Sequence, residues 1–167
     1  MFRIFYPDDY VDSAYHINYE KLYSLGYRGL LFDIDNTLVE HGADATPKVK
    51  KLFEKLGQMG FSCCLISNNK EERVRRFNQD IGVHYVYKAH KPTRRGYELA
   101  MKKMKTDLNH TIFIGDQIFT DVFGAKRIGM KTILVKPVGK KEEIQIVIKR
   151  FFEKIVMKRY HMLRNNR

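Results

Sequence analysis

The 167-residue chain is 44% apolar and 30% charged, with 31 Lys and Arg against 19 Asp and Glu. That composition excludes a disordered chain, and no run approaches the roughly 18 apolar residues of a membrane span. The net charge of +12 calls for an anionic partner: nucleic acid, an anionic lipid surface or a phosphorylated substrate.

The first residues, Met1-Phe2-Arg3-Ile4-Phe5-Tyr6-Pro7-Asp8-Asp9, turn acidic where a secretory signal would be apolar, so a cytoplasmic protein is expected. Tyr6 to Leu25 reads as a helical lead-in interrupted near His16-Ile17, with Asn18 as N-cap of a short second helix. Arg28 to Ile34 is the first strand candidate. Thr46-Pro47 starts a helix, Thr as cap and Pro at the first helical position, with Val49, Leu52, Phe53 and Leu56 on one face. Phe61 to Ile66 is the second strand; its neighbouring cysteines, Cys63 and Cys64, read as buried thiols in a reducing compartment. Lys70 to Asp80 is a charged helix with Val74 and Phe77 inward, and His84 to Tyr87 a third strand. Pro92 opens a helix to about Lys105, Thr111 to Ile114 is a fourth strand, and Thr120 caps a helix ending near Gly129. Thr132 to Val135 is a fifth strand. A long amphipathic helix, about 141–163, closes the chain, with Ile144, Val147, Ile148, Phe151, Phe152 and Ile155 on one face and Lys149, Arg150, Lys154 and Arg164 off it.

Short apolar strands alternating with helices predict a three-layer, doubly wound α/β domain on a parallel sheet. The whole chain, 1–167, reads as one domain with a lead-in over about 1–26 and a basic C-terminal helix. From Lys131 to Arg167 eleven Lys and Arg face three Glu. Packing of the apolar face on the sheet with the basic face solvated accounts for such a helix; a membrane-surface or partner-binding role would add a reason for its scarcity of acids.

In such folds ligands bind beyond the carboxyl ends of the strands. The first strand ends in Asp33-Ile34-Asp35-Asn36-Thr37, the second in Ser67-Asn68-Asn69, the segment after the third holds Lys91-Pro92, and the fourth ends in Gly115-Asp116-Gln117 with Asp121 beyond. Each piece alone is ordinary turn composition. Together they bring two carboxylate pairs, a hydroxyl and an ammonium to one sheet edge. Carboxylates in that company suit a hard divalent cation, and an ammonium at a helix entrance suits a phosphate.

These segments resemble the four motifs of the haloacid dehalogenase superfamily of phosphatases. More narrowly, Tyr6-Pro7-Asp8-Asp9-Tyr10-Val11, Asp33 to Val39, Ile66 to Asn69 and Ile114 to Val122 resemble the subfamily IIIA branch that includes the bacterial YqeG proteins and the mitochondrial phosphatidylglycerophosphate phosphatase. The likeness runs to about Pro137; beyond it the C-terminal helix is alike only in being basic.

The resemblance implies a HAD-like fold and a Mg²⁺-dependent phosphomonoesterase. Asp33 would be the nucleophile, forming an aspartyl-phosphate, and Asp35 the general acid and base. Ser67, Asn68 and Lys91 would bind the phosphate. The metal would be held by the Asp33 carboxylate, the Asp35 backbone carbonyl and Asp116, with Asp121 a further ligand or acting through water. Lys91 would also screen Asp33 from Asp116, and its loss should damage catalysis with little loss of stability. Thr37 and Asn36 shape the turn. The gaps between motifs leave no room for a cap domain, so an open site is expected, suited to a phosphate on something large, such as phosphatidylglycerophosphate at a membrane. A soluble, protein or nucleic-acid phosphate stays open as substrate, as does a non-catalytic RNA- or ribosome-binding module on the same fold. Expected partners are the phosphorylated substrate and an anionic phospholipid surface touched peripherally at the inner face of the membrane; nucleic acid and an oligomer stay open.

Overall fold

The computed structural model describes residues 2–139 and 144–165, with side chains for 3–139 and 150–164. Six parallel strands make one sheet: β1 (Asp9–Val11), β2 (Gly29–Phe32), β3 (Ser62–Ile66), β4 (His84–Val86), β5 (Thr111–Gly115) and β6 (Lys131–Val135), in the order β1-β6-β5-β2-β3-β4. The helices are α1 (Tyr19–Ser24), α2 (Pro47–Gln58), α3 (Glu71–Asn78), α4 (Arg94–Met104), α5 (Phe123–Lys126) and α6 (Ile144–Asn165).

The central strands are continuous apolar runs because both faces are covered. On one face Leu30, Phe32, Leu65 and Ile114 meet Val49, Phe53 and Leu56 of α2 and Val74 and Phe77 of α3. On the other Leu31, Cys64, Ile66 and Phe113 meet Tyr97, Ala100 and Met104 of α4 and Ala125 of α5. The predicted three-layer doubly wound sheet is thus the observed one. Cys63 and Cys64 are free, buried thiols on opposite faces, and burial, chiefly, pushes both up to about 12. Asn18 and Thr46 cap α1 and α2 as expected, accepting from the N–H groups of Lys21 and Val49.

Four expectations fail. The lead-in before Asn18 is not helical: it contains β1, an edge strand registered as Tyr10 to Leu134, and short 3-10 turns around it. Asp8 fixes that strand by accepting from the Thr132 N–H at 2.8 Å and pairing with Lys126 at 2.6 Å and Lys131 at 3.2 Å. Next, α4 starts at Arg94 with Thr93 as its cap, because Pro92 follows a cis peptide bond in the turn before it. Thr120 caps nothing; it lies inside a π-type turn, Ile118–Val122, that leads into α5. Finally, α6 turns its apolar stripe away from the domain. Phe151, Phe152 and Ile155 are 64%, 54% and 58% exposed, while Arg150, Glu153, Met157 and Tyr160 face inward. The side chains of Ile144, Val147, Ile148 and Lys149 lie outside the described residues.

Where β2 leads to β3 the chain holds only a loop and α2, and where β3 leads to β4 only α3, so no cap domain is inserted at either place. Strand order reverses between β2 and β5, and a ligand crevice belongs at that switch point. No helix of the described residues is long and apolar enough to cross a membrane.

Candidate active site

Asp33 follows β2 and Asp116 follows β5, and the pairing of Phe32 with Ile114 sets the two ends side by side. The Asp33 N–H continues the ladder to the Ile114 carbonyl at 3.0 Å, so the sheet fixes the nucleophile candidate. Gly115 lets Asp121 close in: a Cβ there would collide with Asp121 Oδ2. Oxygens of Asp33, Asp116 and Asp121, all buried, lie within 4.8 Å of one another.

Lys91 enters this group at 7% exposure, its Nζ 2.5 Å from Asp33 Oδ1 and 2.7 Å from Asp121 Oδ1. It therefore stands between Asp33 and Asp121, whereas it was expected to separate Asp33 from Asp116. Two turns hold it there. The Asn68 amide accepts from the Lys91 N–H at 2.7 Å and donates to the Lys91 carbonyl at 3.1 Å. The Ala89 and Lys88 N–H groups donate to Ser67 and Asn69 carbonyls. Asn68 thus clamps the lysine's own peptide.

Thr37 is more than a turn former: its hydroxyl lies 3.1 Å from Asp116 Oδ1 and 3.4 Å from Asp33 Oδ2. Asn36, at φ 62°, makes the tight turn that brings it there, a conformation its short polar side chain tolerates. The Ser67 hydroxyl is buried and accepts from the Asn69 N–H.

Asp35 stands apart from the three carboxylates. Its side chain accepts from Asn69 Nδ2 at 2.6 Å, the Gly42 N–H at 2.8 Å and Arg73 at 3.1 Å. From sequence Asn69 was only part of the turn after the second strand, and Arg73 was not picked out. Arg150, on α6, was noted only as a basic residue; its guanidinium binds both the Asp116 carboxylate and the Asp116 carbonyl. Glu153 grips Arg150 at 2.9 Å and accepts from the Ile118 N–H at 2.7 Å. The signal was an Arg and Glu three apart, the Glu being the lone acid of that helix.

Crowding has electrostatic consequences. Burial first, then Asp121 and Asp116, hold the Asp33 carboxyl well above the usual range against the pull of Lys91. Burial and Asp121 push Asp116 up to about 7 in spite of Arg150. Burial alone would lower Lys91, but Asp121 and Asp33 more than offset it, so the ammonium persists. These residues fit a hard divalent cation: the donors are carboxylate oxygens, and a 2+ charge relieves the repulsion that raises them.

From Asp116 a groove of about 590 Å³ runs under α6, lined by Ile118, Leu134, Pro137 and Met157 with Lys136 and Lys154.

Comparison with known proteins agrees with this geometry. A family model described as HAD-hydrolase-like matches residues 88–147. The chain is 39% identical over 138 residues to the protein named Probable phosphatase YqeG of Bacillus subtilis, covering 82% of this chain and 80% of that one. It is 26% identical over 152 residues to phosphatidylglycerophosphate phosphatase 1 of Arabidopsis thaliana, covering 84% of this chain and 43% of that one. The cobalt-bound deoxy-D-mannose-octulosonate 8-phosphate phosphatase of Haemophilus influenzae shares the fold at a TM-score of 0.52 and 14% identity, over 80% of this chain and 88% of that one.

Proposed function

This chain belongs to the HAD-like hydrolases, as a phosphatase of the YqeG kind, and from that premise we infer that it is a Mg²⁺-dependent phosphomonoesterase with Asp33 as nucleophile and a lipid phosphate as substrate. The observation that carries the reading is the Asp33 carboxylate fixed at the end of β2, with an ammonium on one oxygen and two further carboxylates beside it.

Asp33 attacks phosphorus in line and takes the phosphoryl group, which splits one slow hydrolysis into two faster steps. A divalent cation held by the Asp33 and Asp116 carboxylates and the Asp35 carbonyl, with Asp121 as a further ligand or through water, would neutralise the anions that must meet. Lys91, the Ser67 hydroxyl and the Asn68 backbone bind the non-bridging oxygens, where charge develops. Asp121 keeps Lys91 charged and aimed at Asp33. Asp35 protonates the leaving alkoxide and later takes a proton from water, for which its carboxyl must exchange Asn69 or Arg73 for the substrate oxygen.

Three observations support the lipid: the name of the Arabidopsis relative, the groove leading from Asp116 between apolar walls and lysines, and the outer face of α6. There Phe151, Phe152, Ile155, Met162 and Leu163 lie exposed among Lys154, Lys158 and Arg159, the pattern of a helix adsorbed on an anionic surface.

The test is hydrolysis of an aryl phosphate with Mg²⁺ and with EDTA, beside Asp33→Asn, then of phosphatidylglycerophosphate in micelles against soluble phosphomonoesters. Activity should need Mg²⁺ and vanish in Asp33→Asn, and the lipid should be preferred. Full turnover in excess EDTA, or in Asp33→Asn, overturns the mechanism; preference for soluble esters overturns the lipid.

A further inference from the structure

Arg150 reaches the acidic group from outside the strand-end loops, on a helix that follows the last strand. It leaves Asp116 fully engaged. Oδ1 accepts from Thr37, while Oδ2 and the backbone carbonyl both accept from the guanidinium. The guanidinium is in turn oriented by Glu153, whose second oxygen caps the Ile118 N–H, so one Arg–Glu pair fastens α6 to the Asp116 loop.

That arrangement puts a positive charge against a carboxylate that would help hold a metal ion. With Asp33, Asp116 and Asp121 ionised, Lys91 and Arg150 leave the group one negative charge. A divalent cation would then be opposed by two resident cations. Lys91 cannot yield, being buried and clamped by Asn68 on both sides of its peptide. Arg150 can: it is less buried than Lys91 and reaches in from a helix whose other described contacts do not involve the acidic group, namely Val156 and Met157 on Ile118, Val122 and Leu134, Tyr160 against Tyr6, His161 against Tyr10 and Arg164 with Asp9.

Resting on the reading above that Asp33 and Asp116 hold a divalent cation, we propose that Arg150 is a positioning residue that acts through Asp116. It holds the carboxylate while the site lacks a cation and competes with the cation for it. Loading the site therefore loosens the grip of the domain on α6 and opens the groove beneath that helix.

Mg²⁺ binding is measured by calorimetry on EDTA-stripped protein, with Mn²⁺ resonance as a second readout. Arg150→Ala should bind Mg²⁺ at least about tenfold more tightly, the lower end of what a neighbouring guanidinium does to another cation, the proton, on a carboxylate. Arg150→Lys should fall between Arg150→Ala and the parent. Lys154→Gln removes the same charge from the same helix without touching Asp116 and should change binding by less than about twofold. In the parent, saturating Mg²⁺ should raise amide exchange over residues 150–165. If Arg150→Ala does not fold, Arg150→Gln replaces it and should tighten binding to the same degree, since it removes the same charge from Asp116. Binding that is unchanged or weaker in the Arg150 variants, or equally tightened by Lys154→Gln, overturns the competition. Exchange over α6 that ignores Mg²⁺ overturns the coupling to the helix. If no variant and no parent binds Mg²⁺, the cation site itself falls, and the competition with it.

Discussion

The middle of the sheet and its β1 edge are built on different terms. In the middle, Asp33 and Asp116 stand on adjacent parallel strands, and Lys91 is buried between carboxylates. At the edge, the two ends of the chain meet. Asp8 fastens β1 to β6, and α6 crosses above through Arg150, Glu153, Met157 and Tyr160. Both regions deliver a cation to the same acidic group, Lys91 from the middle and Arg150 from the edge. The lysine is part of the framework, whereas the arginine rides on a helix laid against the outside of the domain. On the proposed mechanism, what the chemistry must never lose comes from the centre, and what can be exchanged comes from the margin.

Replacing Lys91 tests the first half of this contrast and should have the largest effect. Lys91→Ala leaves Asp33 and Asp121 buried without their partner, which costs about 3–5 kcal/mol in comparable pairs, and removes a phosphate donor worth about 10²–10³ in turnover. Both losses are expected, in thermal melts and in aryl phosphate hydrolysis, and Lys91→Arg should not restore activity. The sequence alone led us to expect catalytic damage with an intact melting temperature. An unchanged melt would return Lys91 to that simpler role and break the contrast.

Thr37→Val comes next. The valine keeps the shape of the turn but removes the hydroxyl between Asp33 and Asp116. Turnover should fall about tenfold and stability by about 1 kcal/mol. Turnover equal to that of the parent would make Thr37 a turn former only.

Asp8→Asn probes the edge and should have the smallest effect. Burial opposes ionisation of Asp8, but Lys126, the Thr132 N–H and Lys131 outweigh it and hold the carboxyl below its usual value. A depressed folded value means stability that is present above the unfolded pKa and lost as pH falls through the folded one. The variant should therefore be about 1 kcal/mol or less below the parent at pH 7, a gap that closes below about pH 4. A gap that persists in acid would show that β1 is held by packing.

Five of the six strands were legible because buried parallel strands announce themselves as apolar runs. β1 did not, since Asp9-Tyr10-Val11 is short, flanked by acids, and finds its partner in β6 more than a hundred residues on. Asp33, Asp116 and Lys91 were legible from their place at strand ends. The break at Ile118 was not: Asp121 must accept from the Gln117 N–H while meeting Lys91, which widens the turn where Thr120 looked like a cap. The orientation of α6 was misread for a related reason. Hydrophobicity favoured burying Phe151, Phe152 and Ile155, but a guanidinium against a buried carboxylate and a carboxylate on the Ile118 N–H decide the face instead. Such long-range pairs leave no periodic trace.

The two thiols of β3 have a practical consequence. Cys63 and Cys64 are the chain's whole complement of cysteine, and with both pushed up to about 12 neither forms thiolate near neutral pH. Alkylating dyes and nitroxide labels react with the thiolate, so they should pass both by. A cysteine introduced at Met162, exposed near the end of α6, would then be the single labelled position on an otherwise native chain. Fluorescence or paramagnetic relaxation from that one site reads where the helix lies, and no core residue need be removed to see it.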